Sequence, residues 1–290
     1  MMRRTLLAAA AIAGLGTPAA RATTGVVTTR DGQKLACLDR GAGRPVVFVH
    51  GWTLGSAIWS LQTDWLVTRG LRVVAYDKRG HAQSDKPADG YDMDTLADDL
   101  AAVLDQRDVT DATLVGHSMG AGEVARYLAR HGSRRVSRVV LVAPTTPFAL
   151  KTPDNPEGID RAVYDKLVMA LQADRQAYLT AGAPGFFGRN AEPELVEWGM
   201  SIALQASPDA QVKCLRAFSE TDFRPDMRAF TMPTLVLYGT ADDASILQNA
   251  RRTAAAIAGS RLEPYEGAPH GLFLTDPERF NRDVLGFVRS

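Results

Sequence analysis

Short apolar runs alternate with helical patterns along this chain, and that alternation restricts the fold more than any other feature. The runs are Val46-Val47-Phe48-Val49, Val73-Val74-Ala75-Tyr76, Thr113-Leu114-Val115, Val139-Val140-Leu141-Val142 and Thr234-Leu235-Val236-Leu237-Tyr238, each bounded by turn residues. Runs this short, with no polar interruption, predict strands buried on both faces. Helical spacing over Leu96–Leu104 and Val124–Ala129 lies between the middle runs. The result is an expected α/β fold, a mostly parallel central sheet flanked by helices. Upstream, VVTTRDGQKLACL reads as a hairpin around Arg30-Asp31-Gly32, which adds antiparallel edge strands.

The regular alternation stops after Pro144 and resumes at Pro233. Between them, Ala162–Leu171 and Glu192–Leu204 carry helical patterns. Such an excursion predicts a helical cap, over about 147–228, inserted above the strand ends. With no tandem repeat and no low-complexity linker, residues 23–290 are expected to form one domain with its cap.

The 33 basic and 33 acidic side chains cancel, so the chain offers no global field to nucleic acid or to an anionic membrane. Its first residues, MMRRTLLAAAAIAGLGTPAARA, place Arg3-Arg4 before an apolar stretch from Leu6 to Leu15 and end on Ala20-Arg21-Ala22. That order predicts a signal peptide over residues 1–22, and the paired arginines resemble a twin-arginine export signal, with the Sec route as the alternative. The apolar stretch is too short for a spanning helix. The mature chain is therefore expected to start near Thr23 and to be periplasmic or secreted. Cys37 and Cys214 lie far apart in sequence, and two unpaired thiols are expected, although an oxidising compartment permits a bridge. There is neither a CxxC pair nor a Cys/His cluster with zinc spacing, so no metal is expected.

The chemistry is concentrated in VGHSMGAGE, where Ser118 stands two residues from Gly116 and Gly120, directly after the run Thr113-Leu114-Val115 and before a helical stretch that ends at His131-Gly132. Strand, sharp turn and helix give a GxSxG match its meaning, because neighbours without a Cβ let the serine stand exposed above the sheet. Ser118 is the candidate nucleophile. A serine hydroxyl needs a base, and the base needs an orienting acid.

Of the five histidines, His131 is explained by its helix end, His117 lies inside the turn and is expected to point away, and His50 and His81 lie upstream. His270, in GAPHGLF, follows a late strand in the order serine, acid, histidine. The acid is expected at the end of the run in TLVLYGTADD, where Asp242 is the first choice and Asp243 the alternative. For the developing oxyanion, backbone N–H donors are expected from Met119, after the serine, and from Trp52, in FVHGWTLG. Phe148, Phe186, Phe187 and Phe223, with Trp52, are candidate walls of an apolar acyl pocket, and each also suits plain core packing.

Taken with HGW, DKRGHAQSD, GYDMDTLADDL, ETDFRPDM and YEGAPHGLF, these motifs resemble the α/β-hydrolase fold of the cofactor-free non-haem chloroperoxidases, bacterial perhydrolases and aryl esterases over most of the mature chain. The resemblance implies Ser118, Asp242 and His270 as triad, Trp52 and Met119 as oxyanion donors, and no cofactor. It implies hydrolysis of small or aryl carboxylic esters, with hydrogen peroxide able to replace water and give a peracid. The sequence departs from the family pattern at Ala82 and Ala121, where glycine is usual, and lacks a proline after the acid. Thr53 follows Trp52 where perhydrolase-like members often have proline, so hydrolysis is expected to exceed peracid formation. Lactonase and carbon–carbon bond hydrolase chemistry use the same serine set, and a non-catalytic binding protein is the remote alternative. Oligomeric state is left open, a homo-oligomer included.

Overall fold

The structure is a computed structural model and describes residues 23–290; the expected export segment, 1–22, lies outside the described residues. The chain opens with the hairpin β1 (Thr23–Thr28) and β2 (Lys34–Gly41), then β3 (Pro45–Val49), α1 (Ser60–Val67), β4 (Arg72–Tyr76), α2 (Met93–Gln106), β5 (Ala112–His117), α3 (Met119–His131) and β6 (Val136–Val142). Four helices follow: α4 (Arg161–Ala173), α5 (Arg175–Phe187), α6 (Pro193–Ala203) and α7 (Pro208–Glu220). The chain then returns through β7 (Thr234–Gly239), α8 (Ala244–Ala256), β8 (Arg261–Tyr265), the short α9 (Leu272–Thr275) and α10 (Pro277–Arg289).

One eight-stranded sheet runs β1-β2-β4-β3-β5-β6-β7-β8. The β1–β2 and β2–β4 pairs are antiparallel and every later pair is parallel. All five residues of β3 and all six of β5 and of β7 are buried, the pattern of strands covered on both faces.

Side-chain alternation along each strand divides the core into two layers. Val47, Val49, Val74, Tyr76 and Leu114 pack toward α2, α3 and α8. Val46, Phe48, Val73, Ala75 and Val115 pack toward α1, α9 and α10. In α10, Phe280, Val284, Phe287 and Val288 supply the apolar stripe, at the spacing an amphipathic helix requires. Cys37 in β2 and Cys214 in α7 are both buried and free. Among the described residues, no helix is long and apolar enough to cross a membrane.

Candidate active site

The turn between β5 and α3 is built on two close approaches. A Cβ on Gly116 would sit 2.7 Å from the Gly120 carbonyl oxygen, and one on Gly120 would sit 2.3 Å from the Val49 oxygen. Both positions are closed to any side chain. Ser118, between them, is held at φ 54° and ψ −116°, a backbone conformation that costs on the order of 1–3 kcal/mol in a residue with a Cβ. Its N–H donates to the Val142 carbonyl at 2.8 Å and its carbonyl accepts from Thr145 Oγ1 at 3.4 Å. Under α3, Lys78 Nζ pairs with Glu123 at 2.7 Å, both fully buried, and the Tyr76 hydroxyl donates to the same carboxylate. The helix that starts at Met119 is thereby fixed to the end of β4.

His270 and Asp242 come from the loops after β8 and β7, and those loops are laced together. Thr240 N–H donates to the Tyr265 oxygen at 3.0 Å, and Ala241 N–H to the Ala268 oxygen at 3.0 Å. Asp242 Oδ2 lies 2.7 Å from His270 Nδ1, with the carboxylate side chain 4% exposed and the imidazole 19%. Asp243 turns the other way. It caps α8, accepting from Ser245 N–H at 2.8 Å and from the Ser245 hydroxyl at 2.6 Å. The two adjacent carboxylates are thus separated by geometry, and only Asp242 meets the imidazole.

Ser118, Asp242, His270 and Trp52 line one cavity of about 710 Å³. The Ser118 hydroxyl makes no hydrogen bond to His270 in this geometry; such contacts often close only when substrate is bound. Neither the Trp52 N–H nor the Met119 N–H is taken by a backbone acceptor among the described residues. Both remain available for a ligand oxygen. The Trp52 indole is held from α7, its Nε1–H donating to the Gln211 carbonyl at 2.7 Å.

Of the four phenylalanines, Phe186 and Phe187 line the cavity while Phe148 and Phe223 do not. Phe223 is fully buried on α3, where Gly122 leaves room: a Cβ there would lie 2.6 Å from the ring. Phe148 packs with Leu150, with Tyr164 of α4 and with Leu215 of α7, and carries the Arg224 guanidinium 5.1 Å above its ring. Each of these two rings already has a complete packing role away from the cavity.

Thr53, beside the proposed donor Trp52, has a φ of 62°. Proline is confined near −65°, so a proline at this position requires a different path of the loop.

His117 also departs from expectation. It does not turn away but lines the cavity, its ring centroid 4.8 Å from that of His270 and its Nε2 3.2 Å from the His270 carbonyl oxygen. Burial holds its pKa well below the usual imidazole value, so it is neutral and donates through Nε2. The other histidines are engaged elsewhere. His50 Nε2 accepts from Lys78 N–H at 3.0 Å, His81 Nδ1 meets the Arg79 oxygen at 2.9 Å, and His131 Nε2 meets Asp98 at 2.7 Å.

Sequence reasoning missed the contribution of α5. Its carbonyls at Gly185 and Phe186 accept from His270 N–H at 3.2 Å and Gly271 N–H at 2.8 Å. Tyr178 of the same helix stands edge-on to Trp52, ring centroids 6.2 Å apart. Gly182, Pro184 and Gly185 in its sequence read as breakers, so only its length between Arg175 and Phe187 was available as a signal. Among the described residues, no group of three or more His, Cys, Asp or Glu is placed to hold a metal ion.

An eight-stranded, mostly parallel sheet with a serine on the β5–α3 turn defines the class: the chain belongs to the alpha/beta hydrolase fold family, whose sequence profile matches residues 44–277. Within that family it is 40% identical over 273 residues to the non-heme chloroperoxidase CPO-A1 of Kitasatospora aureofaciens, covering 91% of this chain and 99% of the relative. It is 38% identical over 279 residues to the bifunctional esterase/perhydrolase DCH of Acinetobacter calcoaceticus, covering 92% and 100%. The bromoperoxidase from Bacillus anthracis superposes with a TM-score of 0.88 at 35% identity, over 92% of this chain and all of that one.

Proposed function

We propose that this enzyme hydrolyses small or aryl carboxylic esters through an acyl-enzyme on Ser118. Ser118 Oγ attacks the ester carbonyl while His270 takes its proton, and Asp242 stabilises the imidazolium that results. The tetrahedral oxyanion is received by the N–H groups of Trp52 and Met119. The carbon–oxygen bond breaks, the alcohol leaves with the proton from His270, and water attacks the acyl-enzyme by the same route to release the acid. Hydrogen peroxide in place of water yields a peracid, which oxidises halide in solution.

The observation that carries this reading is the 2.7 Å Asp242–His270 bond on the wall of a cavity that Ser118 also lines. Similarity to chloroperoxidases and to an esterase/perhydrolase supports both second half-reactions. A lactone is a cyclic ester and enters the same mechanism. The test is a panel of p-nitrophenyl and phenyl esters and lactones, followed by an acetate ester with hydrogen peroxide in which acetate and peracetate are both measured. Ester turnover that disappears in Ser118→Ala supports the proposal; an intact protein inert to every ester and lactone contradicts it.

We also propose that residues 1–22 direct export and are removed after Ala22, from the order of Arg3-Arg4, the apolar stretch and Ala20-Arg21-Ala22. N-terminal sequencing of the exported protein is expected to begin at Thr23. A functional protein that still carries Arg3 contradicts it.

A further inference from the structure

The cavity beside Ser118 has more room than a short acyl ester fills, and its walls come from two separate packing clusters. Leu54, Ala183, Phe186, Phe187 and Met200 form one side. Ala149, Ile159, Tyr164, Leu167, Leu215 and Phe218 belong to the other. On α4, Val163, Tyr164 and Leu167 all line the cavity, with Val163 and Leu167 one turn apart and Tyr164 beside them.

Tyr164 breaks the apolar character of that second wall. The residue as a whole is 4% exposed, and its hydroxyl is not among the side-chain atoms sealed off without a partner. The polar groups of the α8 region that share the cavity are engaged elsewhere: Asp243 with Ser245, and Asn249 with the Thr145 carbonyl at 3.2 Å. The phenol is left without a hydrogen-bond partner among the described residues. Burial, with the Asp243 carboxylate adding to it, pushes its pKa up to about 12. It is a neutral donor throughout the working pH range.

Tyr164 lines the cavity and its hydroxyl donates to no acceptor of the protein among the described residues, so it is free for water or for a ligand oxygen. A packing role alone is served as well by phenylalanine. We propose that Tyr164 is a specificity-determining residue whose hydroxyl donates to an acceptor oxygen, a carbonyl or an ether, carried by the substrate away from its scissile ester. The preferred substrate is then an ester with an apolar body that fills the cavity and one remote oxygen that reaches α4. The inference rests on the ester-hydrolase reading of Ser118 and deepens it.

The experiment uses two matched sets of p-nitrophenyl-type esters, one varying the acyl chain and one the alcohol. In each set an oxo group is moved stepwise along the chain and compared with the methylene isostere. The full chain and Tyr164→Phe are assayed side by side. At one position in one set, the unmodified enzyme is expected to favour the oxo ester about tenfold in kcat/KM, the size of one neutral hydrogen bond. The gain should fall mainly in KM, because the contact is remote from the reacting atoms. Tyr164→Phe should abolish that preference, bringing the oxo ester down to the rate of its methylene isostere, while still cleaving the plain esters. The oxo-to-methylene ratio is internal to each preparation, so partial misfolding does not mimic the effect. Absence of any oxo preference, or a preference that survives in Tyr164→Phe, overturns the inference while plain-ester hydrolysis leaves the reading of Ser118 standing. Failure of both proteins on every ester overturns the two together.

Discussion

The backbone N–H of His270 donates to the carbonyl of Gly185 at 3.2 Å, which ties the loop of the proposed base to the last turn of α5. Carbonyls at a helix C-terminus have no partner inside the helix, so α5 completes its own end by holding the residue proposed as the base. Phe186, one residue on, places its ring edge-on to both His270 and His117, at 5.9 Å from each. An aromatic contact of this kind is worth about 0.5–1.5 kcal/mol. Phe186→Ala is therefore expected to lower kcat by about threefold to tenfold, with a smaller change in melting temperature. Steady-state kinetics beside a thermal melt check this. Unchanged kcat would mean that the imidazole is positioned by Asp242 and the loop alone.

Asp242 and Asp243 should separate cleanly. Asp242→Asn removes the charge that stabilises the imidazolium and is expected to reduce kcat by roughly four orders of magnitude, as in serine proteases. Asp243→Ala removes the α8 cap, a loss of about 0.5–2 kcal/mol of stability, with turnover near that of the parent. Kinetics and denaturant unfolding on both variants decide it. The reverse pattern would transfer the acid role to Asp243.

Ala82 occupies φ 39°, on the positive side where a residue with a Cβ is strained by roughly 1–2 kcal/mol. Glycine relieves that strain but adds freedom to the unfolded chain, a cost of about 0.4–1 kcal/mol. Ala82→Gly should therefore unfold at an equal or higher denaturant midpoint, by up to about 1.6 kcal/mol. A clear loss of stability would show that the Ala82 methyl packs better than its backbone suffers.

His81 gives stability a definite pH dependence. Burial lowers its pKa from 6.5 to about 4, so the native state keeps it neutral while the unfolded chain takes up a proton below about 6.5. More protons bound by the unfolded state means stability that rises with pH. The His81 contribution is complete above about pH 6.5 and is lost as the pH falls toward 4. At pH 5 the loss is on the order of 2 kcal/mol. The difference in unfolding free energy between pH 7 and pH 5 should therefore shrink by that amount in His81→Gln. An identical pH slope in parent and variant would contradict it.

What the sequence made legible was whatever is fixed locally. The apolar runs announced β3 to β7 because both faces of those strands are covered, and Gly116 and Gly120 announced the turn because no side chain fits there. His270 was legible through its place after a late strand. Asp242 and Asp243 were not separable, since both are adjacent loop carboxylates and only the tertiary path decides which meets the imidazole. The role of α5 was hidden for a related reason: Pro184 and Gly185 argue locally against a helix, and packing of Ala183 and Phe187 against the core overrides them. Phe148 and Phe223 show the limit of composition, because a buried ring reads the same whether it faces a cavity or a neighbouring helix.

The central claim is that Ser118 is a nucleophile activated by His270, and covalent labelling tests it most directly. Intact-mass analysis after treatment with a fluorophosphonate, with peptide mapping of the adduct, is expected to place one phosphonyl group on Ser118. Labelling should be absent in Ser118→Ala and much slower in His270→Ala. A folded, ester-cleaving protein that takes up no label at Ser118, or one whose ester turnover survives Ser118→Ala, would contradict the account.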